Sequence, residues 1–277
     1  MQVDLTVGHE IRLAGLSVLE MRCAGRTIWW TPSVLFASGQ QGAWYDPSDF
    51  STLFQDDAGT MPVTAVGQAV GRILDKSGRG HHAAQSNASF KPTLQQDGSG
   101  RYYLAFDGLD DFLVTSAINF TSTSQMSVFV GYRKLSDSAF GAVVELSAVA
   151  TSNNGAFLLA IPPAASNTNA TFFSRGTTNV SASRSVGAAP VTAVITCQAD
   201  VAGDTNLVRI NGVAGAAATG DQGTGPYGNY PLYIGRRAGT SAPITGRLYS
   251  LIVRGAATTP STLAMAEAWV NAKTGAF

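Results

Sequence analysis

The sequence predicts an all-β protein: a two-sheet antiparallel sandwich over about residues 43–256, closed by a helix at about 260–272. Three observations carry this. From residue 100 onward, short runs rich in Val, Ile, Phe and Tyr recur at close spacing, with Gly, Asn and Ser turns between them. No helical periodicity interrupts them until "TTPSTLAMAEAWVNAKTG". Apolar residues make up 45% of the 277-residue chain, enough for one large sandwich core.

The elements follow in order. "QVDLTV" alternates strictly, with Val3, Leu5 and Val7 on one face. "EIRLAGLSVLEMRC" and "RTIWW" continue as short strand-like stretches, so residues 1–40 form an N-terminal β segment. "WYDPSDFSTLFQDD" reads as a short helix with Asp46 as N-cap and Pro47 as its first residue. The strand candidates are "RYYLAFD", "DFLVTS", "QMSVFVGYR", "GAVVELSA", "GAFLLAI", "ATFFSR", "VTAVITCQ", "NLVRING", "PLYIGRR" and "GRLYSLIVR". Their expected core residues are Val128, Val130, Ile195, Leu207 or Val208, Ile234, and Ile252 or Val253. The final helix has Thr259 as cap, Pro260 at its first position and Gly275 as terminator, with Leu263, Ala266 and Val270 on one face.

Composition excludes some functions. Charged residues are 13%, about half the usual ~25%. Lys plus Arg balances Asp plus Glu, so no electrostatic footprint for nucleic acid exists. A neutral chain suits a subunit of an assembly better than a free enzyme. No basic-then-apolar leader and no membrane-length apolar run occurs. Cys23 and Cys197 sit in no metal-like spacing and read as buried thiols. The sequons at Asn87, Asn119, Asn169 and Asn179 carry no weight in so Ser- and Thr-rich a chain.

"FDGLDDFLV" places Asp107, Asp110 and Asp111 between two apolar stretches. Asp and Gly are turn residues, so the expectation is a hairpin turn. Catalytic constellations are missing: there is no Gly-x-Ser-x-Gly elbow, no phosphate-cradling glycine loop, and His9, His81 and His82 do not make a zinc set. Glu145 is the lone glutamate on a central strand candidate, the one residue on which a glycan hydrolase would rest.

Several motifs resemble one family. "LDKSGRGHHAAQ" is similar to the opening signature of laminin-G-like, concanavalin-A-like jelly-roll domains. "YYLAFDGLDDFLV" resembles the second signature, and "NLVRINGVA", "YPLYIGRRAG" and "ITGRLYSLIVR" the later strands, in order. The stretch 44–85 is similar to the start of such domains in tailed-bacteriophage virion proteins, such as tail, fibre or baseplate components. The resemblance implies a jelly roll over 43–277 and an anchoring segment over 1–40. It implies a non-enzymatic virion component for host attachment, with other virion subunits and host-surface glycans as partners, and a homotrimer, the usual symmetry of phage fibres. A purely structural or decorating subunit is the alternative, and a glycan depolymerase the second one. Some relatives hold calcium through loop aspartates, here Asp107, Asp110 and Asp111, although no nearby Glu or Asn run completes an oxygen cage. No cofactor is otherwise expected. The best ligand loops are "GTGPYGNYP", with Tyr227, Asn229 and Tyr230, and "TSNNG", with Asn153 and Asn154. Trp29 and Trp30 are the expected oligomer or anchor contact, because neighbours on a strand face opposite sides and one face cannot hide both.

Overall fold

The structure is a computed structural model. It describes residues 30–277, and between 11 and 30 the backbone of four short strands, Ile11–Leu13, Leu16–Val18, Glu20–Cys23 and Arg26–Trp30. Residues 1–10, 14–15, 19, 24–25 and the side chains before Trp30 lie outside that description.

Two antiparallel sheets stack face to face, as the strand pattern predicts. The first runs Val213–Ala214, Thr205–Ile210, Val191–Asp200, Gln125–Lys134, Thr245–Arg254, Tyr102–Asp107, Thr93–Gln96. Gly42–Tyr45 also belongs to it, pairing with the second half of Thr245–Arg254. The second sheet runs Asn179–Ser185, Asn169–Arg175, Phe157–Ala160, Ala142–Leu146, Leu232–Ile234, Leu113–Thr115, Ala83–Ala84, Arg72–Ile73, Leu53–Phe54.

Side chains alternate across each strand, so each sheet has an inner and an outer face. The inner faces share one core, in which Val128, Val130, Ile195, Val208 and Val253 meet Phe157, Leu159, Phe172 and Ile234. Of the paired expectations, Val208 is buried where Leu207 is only half-buried, and both Ile252 and Val253 are buried. Ile252 belongs elsewhere. With Phe129 and Val194 it points outward, under the helix Pro260–Thr274.

That helix is capped as read: the Thr259 hydroxyl accepts from Thr262 N, and Gly275 adopts the left-handed conformation that glycine takes without steric cost. It buries Leu263, Ala266 and Val270. Leu35, Phe36 and Trp44 complete this outer layer, with Trp30 packed at its margin. The 3-10 turn Pro32–Phe36 is therefore part of the sandwich's own packing. The Arg254 guanidinium donates to the Leu35 carbonyl at 2.8 Å, tying it down.

Two expectations need correction. The helix read from Asp46 is a single 3-10 turn, Phe50–Thr52, with Asp49 as its cap. Asp46 is instead buried as an ion-pair hub for Lys273 at 3.0 Å and Lys76 at 3.7 Å. The "DGLDD" segment is a turn but closes no hairpin. Tyr102–Asp107 lies in the first sheet and Leu113–Thr115 in the second, so the aspartates carry the chain across the core. Local turn chemistry selects Asp and Gly in either case, and pairing partners are set by the whole topology.

Candidate functional site

The two loops singled out for ligand contact come together at one end of the sandwich. Asn229–Tyr230 pairs with Ile118–Asn119 as a short extra ribbon. The Tyr230 hydroxyl donates to the Asn154 carbonyl at 3.1 Å, and Gly228 N donates to the Gly155 carbonyl at 2.8 Å. Gly155 has φ +72 and backs onto Gly228 so closely that a Cβ would lie 2.6 Å from the Gly228 nitrogen; only glycine allows this approach.

The predicted residues then separate into roles. Asn229 and Asn154 are exposed, Tyr230 and Asn153 half-buried. Tyr227 is a correction: it is fully buried, with its hydroxyl 2.7 Å from Ser174 Oγ and its ring edge-on to Phe157. Burial pushes its phenol pKa up. It holds the loop from beneath and offers no face to a ligand. A tyrosine between Gly225 and Gly228 looks the same in sequence whether it points in or out.

Beside these loops lies an open cleft of about 520 Å³, lined by Thr121–Ser124, Val201, Ala202 and Gly223–Pro226. Strand periodicity does not mark the first of these segments. Its signal was the run "TSTS" between two strands, four hydroxyls in a row. Asp200 orders the cleft wall by accepting from Ser124 Oγ at 3.1 Å and Gln125 Nε2 at 2.9 Å. Hydroxyls, exposed amides and backbone groups suit a neutral polyhydroxyl ligand.

Glu145 sits behind the 147–155 loop. Its Oε1 accepts from Ala150 N at 2.7 Å and Arg237 Nε at 3.1 Å, and the residue is fully buried. Burial raises its carboxyl pKa against the opposing pull of those two donors. It is a peg for the loop, with no opening toward a substrate.

The three aspartates do converge. One carboxylate oxygen each of Asp107, Asp110 and Asp111 lies within 4.8 Å of the others. Asp107 Oδ1 accepts from Leu109 N at 2.8 Å and Asp111 Oδ2 from Asp107 N at 3.0 Å. Desolvation, then repulsion from Asp107 and Asp110, lifts the Asp111 pKa to about 6. The donors fit a hard cation in kind. In number they fall short of the roughly six to eight oxygens calcium takes, two of theirs already serving backbone N–H groups.

The signature "DKSGRGHH" proves to be a scaffold. Asp75 accepts from Trp44 N, Ser77 N and His81 N at 2.8–3.0 Å, so one buried carboxylate binds the loop to the first sheet. His82 Nδ1 accepts from Asp75 N. Cys197 is a buried free thiol, as read, while Cys23 lies outside the described side chains. So does Trp29. Trp30 is half-buried against the helix layer.

No family model and no curated protein matches the chain. Solved structures do match. The receptor binding domain of botulinum neurotoxin D superposes at a TM-score of 0.52 with 10% identity, over 71% of this chain and 49% of that one. A botulinum neurotoxin type C structure, whose cell entry depends on interaction with two ganglioside molecules, gives 0.55 with 9% identity, over 83% and 51%. The serotype D domain in complex with N-acetylneuraminic acid gives 0.54 with 12% identity, over 71% and 48%. The likeness establishes the fold, a lectin-like jelly-roll sandwich. The chain spans about half the length of these domains, so what they bind is not thereby assigned to the matched half. Among the described residues no helix is long and apolar enough to cross a membrane.

Proposed function

We propose that the chain is a non-enzymatic attachment module of a tailed-phage virion, presenting its jelly roll to a host-surface glycan. The observation that carries the glycan reading is the junction of the two loops at Tyr230 and Asn154, beside the hydroxyl-lined cleft. Three separate stretches of chain supply polar, uncharged groups to one edge. The neighbouring folds are receptor-binding domains, one of them in complex with N-acetylneuraminic acid, which supports a binding role. The virion setting and the homotrimer rest on the sequence resemblance, with residues 1–40 as the anchor to other virion subunits.

A glycan array probed with the full chain tests this. Specific binding that Asn154→Ala weakens is expected. No binding to any glycan would leave the second reading, a structural or decorating subunit. The packing of Pro32–Phe36 against the sandwich suits that reading too, because it makes this stretch part of the body. Depolymerase activity has little support, since Glu145 is sealed off. Turnover of capsular polysaccharide, lost in Glu145→Gln, would reinstate it.

A further inference from the structure

We propose that the outer face of the first sheet carries a second binding site, for a carboxylate-bearing saccharide, centred on Arg133 and Arg247. That the anion is carried by a saccharide rests on the attachment reading above. The arginines themselves do not.

The strand register builds the site. Thr93, Ala105, Arg247, Arg133 and Thr192 form one row across five neighbouring strands. Their chain neighbours Leu94, Leu104, Phe106, Tyr132 and Leu248 point into the core, so this row faces outward. All five are partly exposed. Arg133 and Arg247 are directly paired on adjacent strands. Like charges in that relation repel. Among the described residues, no carboxylate oxygen lies within ion-pair distance of either.

The nearby carboxylates make other contacts and form no direct pair with either arginine. Asp107 ends its strand two residues past Ala105, with Oδ1 taken by Leu109 N. Asp97 is engaged by the Tyr249 hydroxyl at 3.2 Å and by Ser99 N. Arg101, the other cation nearby, lies against Gly275 at the end of the helix.

Each guanidinium is nonetheless held in place. Arg247 stacks over the Tyr103 ring at 4.7 Å, and Arg133 Nη1 reaches Thr192 Oγ1 at 3.4 Å. The Nε–H of Arg133 is buried without a partner. Arg247 also bonds the Tyr249 hydroxyl; the remaining Nη donors of two held, partly exposed guanidinium forks match a carboxylate. The flanking threonine hydroxyls and the bare floor at Ala105 leave room for a sugar ring. Two arginines on a chain of zero net charge are too few for a polyanion such as nucleic acid.

The test follows the arginine Nε–Hε signals of the full chain by NMR during titration. The probes are 3′-sialyllactose, a hyaluronan tetrasaccharide, neutral lactose and inorganic phosphate. The acidic saccharides should shift the Arg133 and Arg247 signals, and lactose should not. Arg133→Gln should weaken binding by about tenfold or more, the loss of one charge-assisted contact, without lowering the melting temperature. Silence of both signals toward every acidic ligand overturns the site, as does undiminished binding in the Arg133→Gln/Arg247→Gln double variant. A response to phosphate and to neither acidic saccharide overturns the saccharide. Acidic-saccharide binding that survives Asn154→Ala but not Arg133→Gln upholds this site while the loop reading fails; the reverse pattern sinks this site and spares the loops.

Discussion

The Tyr230 hydroxyl donates to the Asn154 carbonyl at 3.1 Å, across 76 residues of sequence. This bond fastens together the two loops that form the candidate glycan edge, beside the Gly228–Gly155 backbone bond and the ribbon that Asn229–Tyr230 makes with Ile118–Asn119. Tyr230→Phe keeps the ring and removes the bond. The expected stability loss is about 0.5–1.5 kcal/mol, the net worth of one hydrogen bond, with faster amide exchange over residues 151–155. Unchanged exchange there would mean that the loops are held by other contacts.

Asp111 makes stability depend on pH. Its pKa in the folded chain is raised from 3.8 to about 6, so the folded state holds the proton more tightly than the unfolded one. Its contribution is therefore fully present below the ordinary carboxylate value and is lost as pH rises through about 6. Asp111→Asn still offers an acceptor to Asp107 N and should melt higher than the parent above that pH, with the gap closing in acid. A gap that widens in acid would contradict the assignment.

The same cluster gives the calcium test. With no bound ion expected, EDTA should leave the melting temperature unchanged. A fall of several degrees on chelation, restored by calcium, would establish a site at Asp107, Asp110 and Asp111.

Ile234 lies at the centre of the core, 1% exposed, between Leu113 and Val144 on neighbouring strands. Ile234→Ala should cost about 2–5 kcal/mol in chemical denaturation, transfer and cavity costs together. A smaller loss would mean that the sheets relax to fill the space.

Within the N-terminal segment, Pro32–Phe36 belongs to the sandwich. Leu35 and Phe36 are 1% and 2% exposed under the helix layer, so removing residues 1–40 strips part of the sandwich along with the anchor. Removing residues 1–29 separates the two effects: a folded monomer is expected, with assembly lost. Light scattering that shows the same oligomer after this truncation would place the subunit contact elsewhere.

Strand alternation, turn residues and helix caps are local chemistry, and they determined most of the architecture without any coordinates. Val128, Val130, Ile195, Ile234 and the Thr259–Gly275 helix follow from periods of two and 3.6 and from the conformations that Pro and Gly permit. Which strands pair is another matter, because it depends on chain distant in sequence. The aspartate turn shows this: its composition specifies a bend, and only the packed sheets make it a crossing between them. Tyr227 and Tyr230 sit three residues apart in one polar loop, yet Ser174 and Phe157 draw the first inward while Asn154 holds the second at the surface. The Arg133–Arg247 pair is invisible in sequence for the same reason. Two residues 114 positions apart become neighbours only when strand register aligns them, and register is fixed by the burial of whole faces, not by either residue alone.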